Sequence, residues 1–385
     1  MRRPSAETRL IHARPRMTTT AQTVGPSIQR GSTVLISGAA DVYDDAAPTY
    51  GRMGLATHQA LCAALCELEG ATNTALFPSG LAAMTTAMTS VLQSGDDILV
   101  TDAIYKPTRR FCQNVLHRFG VSVRFHPADL SAEGILALVR PETRLIVMES
   151  PGSLTLDMQD VPGVARLASQ RGILTLVDNT WAAGALFRPL DHGVDISVQS
   201  LTKYACGHSD ILMGSATTRR ADVAAQLDHS VRDFGWSVSA DDAYGILRGL
   251  RTLHTRLRQQ GESALRVANW LERHAKIARV LYPALPSSHG YEIWRRDYSG
   301  AAGLLAFEFG PRTDAEINRF LDHLRIFGLG FSWGGFESLA LPCDPQLAVR
   351  TFPEKGRGPL IRLSIGLETT DDLIADLEAA LAVLP

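Results

Sequence analysis

The sequence predicts an α/β protein built on a mostly parallel, doubly wound sheet. Most of its short apolar runs are continuous rather than alternating, as expected for strands that are covered on both faces. Several of these runs are also separated by stretches with helical periodicity, which is typical of βαβ units. The candidate strands are residues 97–101, 121–125, 144–150, 172–179, 195–200 and 211–218.

The chain before this sheet is predicted to be an arm, covering residues 1–55. Residues 17–55 are rich in Thr, Gly, Ser, Asp and Pro and show no sustained period, so we expect an extended segment that reaches a neighbouring subunit. The Arg-rich start, residues 1–16, is expected to be solvated rather than to act as a targeting peptide. A helix is predicted over residues 58–70, ending at Gly70.

The order of elements changes after about residue 250. A long helix, roughly residues 251–276, precedes strands at 303–310, 326–332 and 360–367 and a closing helix at 370–384. Strands with longer gaps and a terminal helix are typical of an α+β domain. The predicted division is therefore an arm over 1–55, an α/β domain over 56–250 and a smaller α+β domain over 251–385.

Composition and charge favour an enzyme that acts on a small molecule. The formal net charge is −2, so the chain has no overall basic field to attract nucleic acid or an anionic membrane. No run approaches the roughly 20 apolar residues of a membrane span. The 5 cysteines form no CxxC pair, which predicts reduced thiols, no metal site and a cytoplasmic location.

Polar residues stand at the ends of several predicted strands, where doubly wound sheets bind their ligands. They include Tyr105, Glu149, Asp178 and Lys203. Asp178 follows the apolar run ILTLV, where an unpaired carboxylate would lose much of its solvation, so it needs a cationic partner or a capping role. A direct ion pair between Asp178 and Lys203 is one alternative.

A phosphate site is predicted beside Lys203. Ser79 and Gly80 begin a helix with a small, apolar interior, which offers free N–H groups and a positive dipole end to an anion. A simple N-cap would give the same pattern. Ser200 and Thr202, just before the lysine, add hydroxyl groups that a phosphate monoester could bind.

These elements together describe a pyridoxal phosphate site. A buried lysine with a lowered pKa is a nucleophilic amine that can attack an aldehyde. Asp178 could hold a ring nitrogen, and Tyr105 could stack on the ring. The combination is more specific than any of its parts.

Four motifs resemble one known family. They are SLTKYACGHSD at the lysine, VDNTW at the aspartate, FPSGLAA at the phosphate loop and YGRMG in the arm. From about residue 7 to its end, the chain closely resembles the Cys/Met-metabolism family of pyridoxal-phosphate enzymes, the transsulfuration enzymes of fold type I.

The resemblance implies roles for individual residues. Lys203 would hold the cofactor and then move protons, Asp178 would pair with the pyridinium nitrogen, and Tyr105 would stack on the ring, so that Lys203, Tyr105 and Tyr50 are the implied catalytic residues. The implied phosphate ligands are Gly80, Leu81, Ser200 and Thr202, joined by Tyr50 and Arg52 from a neighbouring subunit. It also implies a homotetramer built from dimers.

The resemblance implies a substrate site as well. Arg362, in LIRLSIGLE, matches the arginine that clamps the α-carboxylate of the substrate, and its planar guanidinium suits that bidentate task. Ser332 and Trp333, in SWGGFES, would border the same carboxylate. Trp333 and the segment ESPGS are similar to the β-lyase branch of the family, which cleaves cystathionine to homocysteine, pyruvate and ammonia in methionine biosynthesis.

Two residues bear on selectivity. Ser153 stands where many relatives carry Asn, which follows the β-lyase branch, and Phe331 makes the distal pocket less polar than expected. Cystine or other cysteine conjugates are therefore further expected substrates. The alternatives are a γ-lyase or γ-synthase on the same scaffold and a non-catalytic binding protein, although the chain keeps the lysine, aspartate and arginine that the latter would have lost.

Overall fold

The structure, a computed structural model, describes residues 5–13, 23–43, 48–354 and 356–385. Its helices are α1 Ala6–His12, α2 Ala56–Glu69, α3 Gly80–Ser90, α4 Lys106–Phe111, α5 Ala132–Ala137, α6 Val161–Ser169, α7 Ala221–Asp233, α8 Ala240–Leu250, α9 Leu253–Leu271, α10 Tyr291–Asp297, α11 Asp314–His323, α12 Asp344–Leu347 and α13 Thr370–Ala382. Within these ranges, no helix has the length and apolar character needed to cross a bilayer.

A large mixed sheet confirms the predicted α/β class. Its strands are β1 Asn73–Phe77, β2 Asp97–Thr101, β3 Ser122–His126, β4 Thr143–Glu149, β5 Leu174–Asp178, β6 Ile196–Ser200 and β7 Gly214–Thr218, in the order β1-β7-β6-β5-β4-β2-β3. Five neighbouring strands, β3, β2, β4, β5 and β6 in sheet order, run parallel. Strand β7 is antiparallel to both of its neighbours, β6 and β1. Strand β1 was not predicted, because its five residues lie between two helices and show no long apolar run.

A second sheet follows in the last third of the chain. It contains β8 Ile277–Leu281, β9 Leu304–Phe309, β10 Gly328–Leu329, β11 Leu339–Pro342 and β12 Leu360–Ser364, in the order β10-β11-β12-β9-β8. The strand predicted over 326–332 is reduced to two residues. Ser332 and Gly334 have φ values of +81° and +80°, which an extended strand does not allow, so the chain leaves the sheet there as a loop.

The start of the chain differs from the predicted solvated arm. Residues Ala6–His12 form a helix that is capped by Ser5, whose hydroxyl accepts from the Thr8 N–H at 3.3 Å. Leu10 is only 1% exposed and belongs to the main core, and Arg9 forms an ion pair with Glu67 of α2. This segment is therefore packed against the protein, and the remaining residues of the Arg-rich start, 1–4 and 14–16, lie outside the described residues.

The arm itself has little regular structure where it is described. Over 23–43 and 48–55 it contains short 3₁₀ turns at Ala39–Asp41 and Gly51–Met53 and one isolated bridge, between Thr33 and Tyr50. Leu35 and Tyr43 are 94% and 93% exposed, which is unusual for large apolar side chains. The predicted domain boundaries at residues 55 and 250 stay predictions.

Candidate active site

A cavity of about 620 Å³ opens at the carboxyl ends of the parallel strands. Glu149 and Asp178 end the neighbouring strands β4 and β5 and are directly paired in register, and Ser200 ends β6. Twelve of the residues predicted from the sequence line this cavity: Gly80, Leu81, Tyr105, Ser153, Asp178, Ser200, Thr202, Lys203, Phe331, Ser332, Trp333 and Arg362. The cavity wall thus joins the large sheet to the loop after β10 and to β12.

Tyr50 and Arg52 are not among the residues that line this cavity. Tyr50 is 47% exposed, and the Arg52 Nη1 donates to the carbonyl oxygen of Arg232 at 3.2 Å. Their predicted role, in the site of a neighbouring subunit, stays a prediction.

The beginning of α3 forms an anion cradle beside Ser200. The Ser79 hydroxyl accepts from the Ala82 N–H at 3.1 Å, while the first N–H groups of a helix, here those of Gly80 and Leu81, have no acceptor within the helix. A Cβ atom on Gly80 would lie 2.4 Å from the Ser200 Cβ, so only glycine lets the helix start approach the end of β6 this closely. The predicted N-cap is therefore present, and binding of a phosphate at these free N–H groups stays a prediction.

Asp178 is held by Thr180. The Thr180 N–H and hydroxyl both donate to Asp178 Oδ1, at 3.0 and 2.5 Å, and the Thr180 hydroxyl oxygen accepts from the Ser200 N–H at 2.9 Å. Burial raises the pKa of Asp178, and these hydrogen bonds offset that effect in part. Asp178 thus caps its own turn, as one alternative predicted, and it is connected to the anion cradle through one threonine.

Lys203 and Arg362 meet at Ser332. The Lys203 Nζ donates to the Ser332 Oγ at 2.6 Å, and the Arg362 Nη2 donates to the Ser332 carbonyl oxygen at 2.7 Å. The positive φ of Ser332 is rarely adopted by residues other than glycine, and such conformations concentrate at functional sites. The predicted alternative, a direct ion pair between Lys203 and Asp178, is absent from the described residues.

The pKa of Lys203 falls from 10.5 to about 8. Burial is the largest cause, and the positive charge of Arg362 is the second, whereas Asp178 acts in the opposite direction. Near pH 8 about half of the lysine is therefore a neutral amine, the form that is nucleophilic.

Arg362 is 7% exposed, and burial lowers its pKa. Its Nε is a buried donor without an acceptor among the described residues. Because an unpaired buried donor is costly, an anionic ligand in the cavity would complete this site. A carboxylate matches the fork of a guanidinium.

Trp333 borders the lysine. Its ring lies 5.4 Å from the Lys203 Nζ and 5.4 Å, centroid to centroid, from the Tyr204 ring. Phe331, on the same loop, is 76% exposed at the entrance of the cavity. The loop thus presents an indole to the amine and an apolar ring to the solvent side.

Glu149 had no predicted role. Its Oε2 accepts from the Tyr105 N–H at 2.7 Å, so it fixes the backbone from which the Tyr105 ring extends. Burial, followed by the charge of Asp178, raises the pKa of Glu149 well above its ordinary value. Its position at the start of ESPGS was visible in the sequence, but Tyr105, which it contacts, is 44 residues away in the chain.

Glu69, at the end of α2, was missed entirely. It is fully buried against β6 and the end of β5. Its carboxylate accepts from Gln199, from the Ser197 hydroxyl at 3.2 Å and from the Asn179 amide at 3.5 Å. Gln199 and Asn179 are chain neighbours of Ser200 and Asp178. Burial raises the pKa of Glu69 to about 7, and the three donors oppose that change.

Replacing Glu69 by alanine is expected to lower the free energy of unfolding by about 1–3 kcal/mol, because buried donors on Gln199 and Asn179 lose their acceptor. Glu69→Gln should lose less, since an amide oxygen can still accept. Urea unfolding measures the effect, with Gln59→Ala, an exposed residue on the same helix, as the control. If Glu69→Ala matches the control, Glu69 does not hold these strands.

The described residues contain no cluster of three or more potential metal ligands. They do contain an anion cradle, a buried carboxylate with a raised pKa, an amine with a lowered pKa and an unfilled arginine donor. A phosphorylated pyridine aldehyde would match the anion cradle with its phosphate, the carboxylate with its ring nitrogen and the amine with its aldehyde. The free arginine donor would be bonded by the carboxylate of an amino acid. The fold and site thus have the features of a pyridoxal-phosphate enzyme.

Comparison with known proteins agrees with this class. A model of the family described as Cys/Met metabolism PLP-dependent enzyme matches residues 7–382. The chain belongs to this family, and pyridoxal phosphate is its cofactor. A solved structure titled "Crystal structure of metB from Corynebacterium glutamicum" superposes with a TM-score of 0.92 at 28% identity and covers 98% of each chain, which confirms the fold type I architecture.

Named relatives cover most of the chain. Cystathionine beta-lyase MetC of Escherichia coli is 42% identical over 86% of this chain and 85% of its own length. Cystathionine beta-lyase of Bordetella avium is 42% identical over 92% and 91%. A Wolbachia pipientis protein named L-alanine/L-glutamate racemase is 39% identical over 88% and 83%.

The lowered pKa of Lys203 predicts how the rate of cofactor binding depends on pH. Capture of added cofactor by the apoprotein requires the neutral amine, so its rate should rise by about tenfold per pH unit below pH 8 and level off above it. Stopped-flow absorbance measures this profile. Arg362→Met should move the midpoint upward, because Arg362 is a cause of the shift. A rate that keeps rising toward pH 10.5, the ordinary lysine value, would contradict the assignment.

Proposed function

We propose that this chain catalyses β-elimination of cystathionine, releasing homocysteine, pyruvate and ammonia. The observation that carries the proposal is that Lys203 and Arg362 both bind Ser332, at 2.6 and 2.7 Å. A substrate whose α-carboxylate binds Arg362 would place its Cα beside the lysine amine. The beta-lyase relatives support the choice of thioether.

Different residues of the cavity would bind the phosphate, the ring and the substrate carboxylate. Gly80, Leu81, Ser200 and Thr202 would bind the cofactor phosphate, although the Thr202 hydroxyl also bonds the backbone of Met213. Asp178 would hold the ring nitrogen, Tyr105 would pack on the ring, and Ser153 would border the ring and carboxylate. When bound, pyridoxal phosphate withdraws the electron pair that remains when Cα loses its proton.

Lys203 would be the base that removes the Cα proton. Its neutral amine is available near pH 8, and Ser332 holds it toward the carboxylate site. The Cβ–S bond then breaks with its electron pair on sulfur, and the lysine ammonium can protonate the thiolate. Hydrolysis of the remaining three-carbon fragment by one water then gives pyruvate and ammonium. The sum is cystathionine plus water giving homocysteine, pyruvate and ammonium.

β-Elimination needs one deprotonation, whereas γ-elimination needs a second one, at Cβ. Of the titratable bases that line the cavity, Lys203 is the one whose side chain bonds Ser332, the residue that also contacts Arg362. The exposed Phe331 supplies no proton acceptor at the entrance. This arrangement favours the β reaction over a γ-lyase or γ-synthase.

The test is product identification with purified holoenzyme and cystathionine. Pyruvate with homocysteine supports the proposal, while 2-oxobutyrate with cysteine would assign a γ-lyase instead. Cystine, supplied in parallel, should also give pyruvate, because its Cβ carries a sulfur leaving group.

A second candidate is racemisation of an amino acid, which one relative's name favours. Racemisation would follow if, when Cβ carries no leaving group, Cα regained a proton on the face opposite the one that lost it. Loss of optical rotation from L-alanine at a rate above that of pyruvate release from cystathionine would make racemisation the main activity.

We infer further that the enzyme is a cytoplasmic homotetramer, in which Tyr50 and Arg52 complete the phosphate site of a neighbouring subunit. Two features support exchange of the arm: these residues lie outside the cavity of their own chain, and Leu35 and Tyr43 expose large apolar surfaces on it. Light scattering tests the oligomeric state.

A further inference from the structure

The cavity wall contains one cation, Lys106, that the proposed reaction does not use. The charged residues of this wall are Lys106, Glu149, Asp178, Lys203 and Arg362. The last four are linked electrostatically, since Asp178 raises the pKa of Glu149, Lys203 lowers that of Asp178 and Arg362 lowers that of Lys203. Lys106 belongs to no ion pair among the described residues, and its Nζ donates only to the carbonyl oxygen of Pro345, at 3.4 Å.

Lys106 stands at the entrance rather than at the base. It begins α4, directly after Tyr105, and is exposed, whereas Arg362 at the base is 7% exposed. The exposed residues of the cavity wall also include two large apolar side chains, since Leu212 is 70% and Phe331 is 76% exposed. Lys106 is the exposed cation of this wall among the described residues.

The wall beside Lys106 is tied to the large sheet by hydrogen bonds. Pro345 and Gln346 line the cavity, and the segment that follows them is tied to the large sheet by a buried pair, Asp102 and Arg109. The Asp102 carboxylate accepts the N–H groups of the two residues after Arg350 at 2.9 Å each.

Arg350 strengthens this anchor from the other side. It donates to the carbonyl oxygen of Ser153 at 2.7 Å and to the Thr155 hydroxyl at 2.8 Å. The segment after Gln346 is therefore tied both to the large sheet and to the loop after β4. A charge at this side of the cavity can act on the far end of a bound substrate.

We propose that Lys106 binds an anionic group at the far end of the leaving thiol, so that the preferred substrates are cysteine thioethers that end in a carboxylate. The methylene groups between sulfur and carboxylate would pack on Leu212 and Phe331. The inference rests on the proposed β-elimination and narrows its substrate class. A carbonyl oxygen does not neutralise an ammonium charge, so Lys106 keeps its charge available for a substrate.

The test compares thioethers that differ in terminal charge. S-(2-carboxyethyl)-L-cysteine and S-(2-carbamoylethyl)-L-cysteine have almost the same shape, S-(2-aminoethyl)-L-cysteine carries the opposite charge, and S-methyl-L-cysteine has no far end. All four would yield pyruvate, so one assay gives kcat/KM for each. The wild-type enzyme should prefer the carboxylate over its amide by about two- to fivefold, as expected for an ion pair near solvent.

Three variants separate Lys106 from its surroundings. Lys106→Met should bring the carboxylate-to-amide ratio to about one, and Lys106→Glu should reverse the charge preference toward the aminoethyl compound. Arg110→Ala is the matched control, because Arg110 is an exposed cation on the same helix that does not line the cavity. The control should keep the wild-type ratio.

The outcomes are distinguishable. A ratio that follows the charge at residue 106, while S-methyl-L-cysteine turnover stays constant, supports the inference. Pyruvate from all substrates with an unchanged ratio in Lys106→Glu overturns the inference but leaves β-elimination intact. Absence of pyruvate from every thioether overturns the proposed function itself.

Discussion

Replacing Lys203 by alanine should reduce pyruvate release from cystathionine by roughly 10²- to 10⁴-fold or more, since the chain loses its proposed base and its attachment for the cofactor. The cavity would keep its other residues, because the Lys203 side chain bonds only Ser332 among the described residues. The variant should therefore still fold and bind cofactor without a covalent bond. Pyruvate assays and absorbance spectra measure both effects.

Lys276→Ala is the matched control for that variant. The Lys276 Nζ donates to the carbonyl oxygens of Leu381 and Leu384, and none of these three residues lines the cavity. It should keep near wild-type turnover. If Lys203→Ala retained turnover at the level of this control, Lys203 would not be the base.

Arg362→Ala is expected to cost about 2–5 kcal/mol of transition-state binding, or roughly 30- to 5,000-fold in kcat/KM. The guanidinium is buried, and its free Nε indicates a place for one oxygen of a carboxylate. Cofactor content should be unchanged, because the proposed phosphate and ring contacts come from other residues.

Arg362→Lys separates charge from shape. A lysine keeps the positive charge but lacks the planar fork, so kcat/KM should recover only in part. Loss of cofactor from Arg362→Ala, or unchanged kcat/KM, would place the carboxylate site elsewhere. The contact of Arg362 with the Ser332 backbone means that both variants should be checked for unchanged unfolding midpoints.

The parts of the site that follow strand ends could be predicted from sequence, because strand ends are local features. Asp178 and Lys203 stand directly after apolar runs, and parallel strands bring such ends to one edge. The family motifs added Arg362, which lies 159 residues from Lys203 and which no local pattern could have joined to it. The prediction of twelve cavity residues rested on both kinds of signal.

The remaining features depend on contacts that a sequence pattern does not contain. Glu69 carries no signal beyond its place at a helix end, and its role comes from Gln199, 130 residues away. The loop at Ser332 was predicted as strand because FGLGF alternates, but positive φ values end the strand there. Leu10 falls in the segment predicted as a solvated arm, since two adjacent apolar residues, Leu10 and Ile11, among arginines give no helical period.

The most direct test of the account is to find which lysine carries the cofactor. Lys106, Lys203, Lys276 and Lys355 are the lysines of this chain, and two of them, Lys106 and Lys203, line the cavity. Borohydride reduction of the holoenzyme, followed by peptide mass spectrometry, should show a pyridoxyl phosphate group on Lys203 alone. The same group on Lys106, with Lys203 unmodified, would contradict the account.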